Sequence, residues 1–119
     1  MTKIKPQIVA TISPMSEKPE ILRSMIEHSL GVARLNFSFG EPEERMRQIS
    51  KIRQLEKEFG RKIPIIVDLP GPRIDTSDGH AFDNDSIEVI APRDIEFIKF
   101  AAEQKADYVA VSYVGSAED

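Results

Sequence analysis

The chain has 119 residues, of which 40% are hydrophobic and 30% charged, as expected for one ordinary domain. Sixteen Lys and Arg against 20 Asp and Glu give a net charge of −4 without long blocks of one sign, which argues against nucleic-acid or anionic-membrane partners. The absence of Cys excludes disulfides and thiolate chemistry, and no apolar run is long enough for a signal peptide or membrane span, so we expect a cytoplasmic protein.

The N-terminal part predicts a strand followed by a helix. Residues 8–12 form a short β-branched run. An apolar pattern at helical spacing then extends from Pro19 through Leu30, and Gly31 is a suitable C-cap. A second strand is expected to start directly afterwards.

Residues 32–40 predict a strand with two different faces. Alternate positions carry Arg34, Asn36 and Ser38, whereas the positions between them carry Ala33, Leu35, Phe37 and Phe39. Because successive strand residues point to opposite sides, the apolar set can pack on helices while the polar set faces a cavity. The segment ends at a Gly that permits a sharp turn. A polar face of this kind indicates a site.

The rest of the chain continues the alternation of strands and helices. The predicted elements are a helix from Pro42 to a stop at Gly60, a strand over 63–69, a turn-rich loop over 73–84 with a small strand at 86–90, a helix opening at Pro92 and a strand over 108–114. Strands separated by amphipathic helices predict βαβ crossovers and a parallel sheet.

Polar residues fall at the C-terminal ends of all four predicted strands, where parallel α/β folds bind ligands. Any one of them is explained as well by the change from an apolar strand to a polar loop, but four coincident ends favour a site. They are Thr11, Ser13, Asn36, Ser38, Asp68 and Ser112.

Five segments of the chain carry a resemblance to a known family. They are IVATISP at 8–14, VARLNFS at 32–38, DLPGP at 68–72, VAVSYV at 109–114 and SAED at 116–119. Together they resemble the start of the pyruvate kinase catalytic barrel, and the similarity runs nearly from end to end. The segment at 32–38 is the most specific, because its order, spacing and position after a helix all match.

The resemblance implies half of a TIM-type (β/α)8 barrel, with four parallel strands and about three helices in one domain over residues 1–119. Members of the family carry a β domain inserted after the third strand as a lid. Here a short loop near 76–86 replaces it. The lid's closing motion is therefore not expected.

The implied reaction is phosphoryl transfer from phosphoenolpyruvate to ADP, giving pyruvate and ATP in glycolysis, with K⁺ and Mg²⁺ as cofactors. Arg34 corresponds to the arginine that faces the substrate phosphate, although pairing with a carboxylate such as Asp68 for structure alone is the alternative. The monovalent-cation ligands correspond to Asn36, Ser38, Asp68 and the backbone carbonyl of Leu69, where the family usually has threonine.

Several other positions depart from the family pattern and change the charge around the predicted site. Phe39 stands in place of a histidine, Pro70 in place of a lysine and Gly115 in place of a basic residue, and residues 73–75 reverse the usual acid-then-arginine order. Charge at such a site contributes much of the catalysis of phosphoryl transfer.

No catalytic residue is assigned within these 119 residues. The family's catalytic lysine and the two acidic Mg²⁺ ligands come from later strands, and no segment here aligns with them. We therefore expect an N-terminal part of a pyruvate kinase, since residues 116–119 resemble the opening of a fourth helix, and expect the chain alone to be inactive.

Two alternatives stay open. A non-catalytic half-barrel could self-associate through its open sheet edges, or the chain could be a module that binds a small anion or cation through Arg34 and its neighbours.

Overall fold

A computed structural model describes residues 7–76, 79–82 and 92–114. Six strands and three helices lie within these residues. They are β1 (Ile8–Thr11), α1 (Pro19–Glu27), β2 (Leu30–Asn36), α2 (Pro42–Phe59), β3 (Ile65–Asp68), β4 (Arg73–Thr76), β5 (Gly79–Phe82), α3 (Pro92–Glu103) and β6 (Tyr108–Ala110). No helix among the described residues has both the length and the apolar content to cross a membrane.

Four strands form one parallel sheet in the order β1-β2-β3-β6. Thr11 pairs with Arg34, Arg34 with Ile66, and Asn36 with Asp68, so the C-terminal ends of neighbouring strands lie side by side. The predicted parallel sheet of four strands is confirmed, and the strand register brings the predicted polar ends to one edge.

The helices cover one face of this sheet. Ala33 and Leu35 of β2 and Val67 of β3 are fully buried with residues of all three helices in one core. Alternate positions, such as Arg34 and Asp68, are only partly buried on the other face. The alternation predicted for residues 32–36 therefore separates a packed face from an open one.

The predicted boundaries of α1 and β2 were wrong. The helix ends at Glu27 rather than Leu30, because Ser29 adopts a φ of 77° and leaves the helix. Leu30 and Gly31 already belong to β2, so Gly31 is not the C-cap. At its other end, β2 stops at Asn36, and residues 37–40 form a turn instead of completing the strand.

The helix α2 agrees with its predicted limits. It begins at Pro42, and Gly60 ends it in the left-handed conformation with a φ of 63°. Its apolar stripe buries Ile49, Ile52 and Leu55 against the sheet.

The segment between β3 and α3 contains an antiparallel hairpin, β4 paired with β5, where we expected only turns. The sequence Asp78-Gly79 is a common hairpin turn signal and could have identified it. The small strand expected at 86–90 and the helix start expected at 116–119 lie outside the described residues. The predicted strands over 63–69 and 108–114 are shorter, limited to β3 and β6.

Candidate functional site

The C-terminal edge of the parallel sheet brings together polar side chains from four strands or their ends. Arg34 of β2 lies between Thr11 at the end of β1 and Asp68 at the end of β3. Ser112 follows β6 and reaches the same carboxylate. Three strand-end residues predicted from the sequence, Thr11, Asp68 and Ser112, therefore meet at one place with Arg34.

The Arg34 guanidinium is held by two neighbouring strands. Its Nε donates a hydrogen bond of 2.8 Å to Oδ2 of Asp68, and its Nη2 donates to the same oxygen. Its Nη1 donates at 2.7 Å to Oγ1 of Thr11. The side chains of Arg34 and Asp68 are 33% and 18% exposed, so the ion pair is shielded on the sheet side and open on the other. The charge is compensated and oriented at once.

Arg34 retains hydrogen-bonding capacity. A guanidinium has five N–H donors, and the bonds to Asp68 and Thr11 use three of them within the described part of the chain. An incoming anion can therefore bind Arg34 without displacing Asp68 completely.

Ser112 connects the third and fourth strands of the sheet. Its hydroxyl lies 2.8 Å from the carbonyl oxygen of Leu69 and 3.4 Å from Oδ1 of Asp68. Since a hydroxyl has one proton, the shorter bond to Leu69 is the stronger. Oδ1 of Asp68 is thus only weakly engaged by Ser112.

Asn36 and Ser38 form a turn at the end of β2. The amide N–H of Ser38 donates at 3.0 Å to Oδ1 of Asn36, a side-chain turn that ends the strand. Asn36 also pairs in register with Asp68. The two residues therefore stand on neighbouring strands at the same edge of the sheet.

The donor set fits a hard monovalent cation better than a divalent one. Its members are oxygens, namely two side-chain oxygens of Asn36 and Ser38, the Asp68 carboxylate and the Leu69 carbonyl, with a single negative charge. That charge is already shared with Arg34. Among the described residues, no three His, Cys, Asp or Glu side chains cluster to hold a metal ion.

Ser13 lies apart from this set. It exchanges hydrogen bonds with Ser16 inside its own turn, including a 2.8 Å bond from its N–H to the Ser16 hydroxyl. Its role is to shape the connection between β1 and α1.

Gly71 and Arg93 belong to the same edge, and sequence reasoning missed both. Gly71 has a φ of 73°, and a Cβ there would lie 3.1 Å from the carbonyl oxygen and Cβ of Ser112. Nη2 of Arg93, at the start of α3, donates at 3.3 Å to the Gly71 carbonyl. The glycine between two prolines was a signal for this close backbone approach.

Two of the departures from the family pattern have defined positions. Phe39 is 59% exposed in the turn after β2, contrary to the expectation that it packs on the helices, because β2 has already ended. Pro70 is buried. The side chains at 73–75 and Gly115 lie outside the described part.

Comparison with known proteins identifies one family. The family model "Pyruvate kinase, barrel domain" matches residues 3–89. Pyruvate kinase of Sporosarcina psychrophila is 38% identical over 115 residues, which are 97% of this chain and 19% of that protein. Pyruvate kinase of Geobacillus stearothermophilus is 44% identical over 87 residues, 73% of this chain and 14% of that protein.

Pyruvate kinase of Bacillus licheniformis is 37% identical over 115 residues, again 97% of this chain and 19% of that protein. The chain thus spans about a fifth, or less, of the length of these relatives. Since the family model covers more than half of the chain, this protein belongs to the pyruvate kinase family, and its four parallel strands are part of the family's barrel domain.

Proposed function

We propose that this chain supplies the phosphate-facing arginine and the monovalent-cation ligands for phosphoryl transfer from phosphoenolpyruvate to ADP, which yields pyruvate and ATP. The observation that carries the proposal is the position of the Arg34 guanidinium at the C-terminal edge of the sheet. Thr11 and Asp68 hold it there, and some of its N–H donors are not used by these two partners. The relatives named pyruvate kinase support the choice of reaction.

Arg34 acts as a fixed cationic fork for a phosphate oxygen. Its bonds to Thr11 and Asp68 restrict the side chain before substrate arrives, so little rotamer freedom is lost on binding. Asp68 limits affinity, because the incoming anion shares Arg34 with a carboxylate.

A monovalent cation relieves part of this competition. Bound by Asn36, Ser38, Asp68 and the Leu69 carbonyl, K⁺ would supply positive charge beside Asp68 and leave Arg34 to the phosphate. In this arrangement, cation and phosphoenolpyruvate bind with positive coupling.

The chain by itself binds ligands but does not turn them over. We assign it no catalytic lysine and no Mg²⁺ ligands. A cytoplasmic location is inferred with this function, in accord with the absence of Cys.

Arg34→Gln tests the anion site. We expect calorimetric titration with phosphoenolpyruvate in KCl to show binding weakened at least about tenfold, since charge-assisted hydrogen bonds are lost. Arg23→Gln is the matched control, because Arg23 lies on α1 in an exposed 3.0 Å pair with Glu58. Equal affinity of the Arg34 variant and the control variant would refute the proposal.

Removing Arg34 also leaves the Asp68 carboxylate without its main partner, which can unfold the variant. The double variant Arg34→Gln/Asp68→Asn removes both charges of the pair and keeps the test informative. Circular dichroism checks that each variant is folded before it is titrated.

Asn36→Ala tests the cation site. We expect the affinity for phosphoenolpyruvate to be higher in KCl than in tetramethylammonium chloride at the same ionic strength, and this difference to shrink several-fold in the variant. Gln54→Ala, at an exposed position of α2, is the control. An undiminished K⁺ effect in Asn36→Ala would rule out this cation site while leaving the Arg34 site intact.

A second candidate function, self-association, rests on the two open edges of the sheet. Ile8 and Val9 on β1, and Tyr108 and Val111 at β6, are all more than half exposed, and β1 and β6 are the outermost strands. A twofold axis parallel to the strands would place β6 of one copy beside β1 of the other twice, giving eight parallel strands. A second copy of the chain is therefore the proposed partner.

Light scattering during size-exclusion chromatography tests this association. We expect a dimer at about 100 μM that dissociates on dilution. Val111→Lys should give a monomer, whereas Met46→Lys, on α2 away from both edges, should not. A strict monomer of the unmodified chain across this range would eliminate the dimer.

A further inference from the structure

A groove lies between the start of α2 and one side of α3, outside the candidate site at Arg34. It has a volume of about 480 Å³, within the range of small-molecule sites. Its walls include the rings of Phe37, Phe97 and Phe100, together with Pro42. Phe37 packs edge-on against Phe97 with ring centroids 5.1 Å apart. The groove therefore offers an aromatic lining to a flat apolar group.

Arg45 lines the same groove with a buried guanidinium. Its side chain is 6% exposed, and its carbon Cζ lies 5.7 Å above the centroid of the Phe37 ring. Nη1 donates at 2.9 Å to Oε1 of Gln48 and is 3.8 Å from the carboxylate of Glu44. Nε is buried and has no acceptor among the residues that the structure describes.

A buried N–H without an acceptor is destabilising, so an oxygen that reached Arg45 would restore a lost interaction. Burial lowers the pKa of Arg45, although the charges of Glu44 and Glu17 oppose this shift. Both facts describe a cation that is incompletely compensated by its surroundings.

Gly40 leaves space beside this guanidinium. It has a φ of 85°, and a Cβ at this position would lie 2.6 Å from Oε2 of Glu44 and 2.9 Å from Nη2 of Arg45. Any larger residue would fill the approach to the cation from the groove, which Gly40 also lines. The missing side chain leaves room beside the groove for the Arg45 guanidinium and the Glu44 carboxylate.

The charged residues that line the groove restrict the charge of its ligand. The acidic ones are Glu41, Glu96 and Glu103, and Lys99 is a basic one, with its Nζ 3.1 Å from Glu96. With Arg45 included, the lining carries three negative and two positive groups. Polyanions such as nucleotides or sugar phosphates would be repelled, whereas one negative charge can be matched by the buried Arg45.

We propose that this groove is a binding site for a small aromatic monocarboxylate, whose ring lies among Phe37, Phe97 and Phe100 and whose carboxylate accepts hydrogen bonds from Arg45. The site is separate from that of Arg34 and does not depend on the proposed phosphoryl transfer. Its ligand is recognised by one flat ring and one charge.

The probe is 2-naphthoate, added to ¹⁵N-labelled protein and followed by two-dimensional NMR. We expect saturable shifts at Gly40, Phe97 and Phe100, with a Kd on the order of 1 mM or tighter. The side-chain Nε–H resonance of Arg45 should shift with the same Kd, because the carboxylate binds the same guanidinium. This readout needs no variant and holds if substitution of Arg45 unfolds the chain.

Variants then separate this site from the first. Arg45→Gln should weaken 2-naphthoate binding at least about tenfold, while Arg23→Gln and the double variant Arg34→Gln/Asp68→Asn leave it unchanged. The neutral analogue 2-naphthalenemethanol should bind at least about tenfold more weakly than the carboxylate.

Three results would overturn the proposal: no saturation up to 10 mM probe (about the weakest affinity such a titration resolves), equal binding of the neutral analogue, or loss of binding in a folded Arg34→Gln/Asp68→Asn variant. The last would move the probe to the sheet edge. None of these outcomes bears on whether phosphoenolpyruvate binds at Arg34, so the two proposals fail or succeed separately.

Discussion

Gly71 is the residue at which backbone geometry most directly shapes the candidate site. Its left-handed φ of 73° turns the chain after β3, and its lack of a side chain lets the backbone approach Ser112 closely. Ser112 in turn donates to the carbonyl of Leu69, so the turn and the end of β6 hold each other in place. The position of the Leu69 carbonyl, a predicted cation ligand, therefore depends on a glycine two residues later.

Gly71→Ala is expected to destabilise the protein by about 1 kcal/mol or more beyond the effect of Gly60→Ala. Both glycines are left-handed, with φ of 73° and 63°, but a Cβ at Gly60 would have no neighbour within 4 Å. The control thus measures backbone strain alone, about 1–2 kcal/mol. Urea unfolding of the two variants checks the difference, and equal destabilisation would show that crowding at Ser112 is unimportant.

At this scale, the sequence predicted which side chains share an edge but not how they bond. Alternation along β2 and the polar ends of neighbouring strands were enough to group Arg34 with Asp68. Which donor of Arg34 meets Thr11, or that Ser112 prefers Leu69, depends on distances of a few tenths of an ångström. Arg45 was not predicted, because a cation in a helix with mixed charges is usually exposed.

The connections between elements are held by buried charges. Glu17, in the turn before α1, contacts Arg47 at 2.9 Å and Lys51 at 3.7 Å on α2. Burial raises the pKa of Glu17, but hydrogen bonds from Gln48 and Arg47, with the charge of Lys51, outweigh it and leave the pKa below its ordinary value. This carboxylate fixes α1 against α2.

Asp107, in the connection between α3 and β6, is a second carboxylate that holds neighbouring elements together. Its Oδ2 accepts the N–H of Ile65 at 2.8 Å, and its Oδ1 lies 2.6 Å from Nζ of Lys62. Burial raises the pKa of Asp107, but the bonds from Lys62 and Ile65 and the charge of Arg53 prevail, so the pKa is lowered. The group thus anchors the start of β3 to the start of β6.

Asp107→Asn should lower the free energy of unfolding at neutral pH by about 1–3 kcal/mol. It should also make this free energy depend less on pH in the acidic range. Because the folded-state pKa is lowered, the carboxylate's contribution is complete above the ordinary pKa of 3.8 and is lost as pH falls through the folded pKa. Urea unfolding from pH 7 to pH 2.5 measures both slopes. Glu96→Gln, in an exposed pair with Lys99, should keep the slope of the unmodified protein; an equally steep slope in Asp107→Asn would contradict the prediction.

Element limits were predicted well where a residue with restricted backbone geometry marks them. Pro42, Gly60 and Pro92 begin or end helices as expected. The end of α1 and the end of β2 were misplaced because Ser29 carries no sequence signal for its φ of 77°, and because Phe37 keeps the strand's apolar alternation although it lies in a turn. Tertiary packing, not local preference, decides such boundaries.

On the scale of the whole molecule, the sheet has one covered and one open face. The helices bury the side of β2 and β3 that carries Leu35 and Val67, while the Arg34 side lacks any helix among the described elements. The two outer strands of the sheet, β1 and β6, carry exposed apolar residues. The fold class was predictable from periodicity and family resemblance, but what covers the open face was not, because periodicity reports only that a face is apolar or polar.

The 119-residue chain is expected to form no pyruvate from phosphoenolpyruvate, ADP, Mg²⁺ and K⁺, although we propose that it binds phosphoenolpyruvate. One arginine can orient a phosphate, but proton delivery and divalent-metal binding need groups that we do not assign to this chain. A coupled assay measures pyruvate formation. Turnover that disappears in Arg34→Gln would contradict this expectation, since contaminating enzyme would be unaffected by the substitution.

Asp107 bonds Ile65 at the start of β3, and Arg34 bonds Asp68 at its end. These two ends of the four-residue strand are about 10 Å apart. Substitutions at that separation with no shared partner generally have additive energies. Thermostabilising changes around Lys62 and Asp107 should therefore accumulate without altering ligand affinity. Evolution or a protein engineer could therefore change the stability of this half-barrel independently of ligand binding at the C-terminal edge of its sheet.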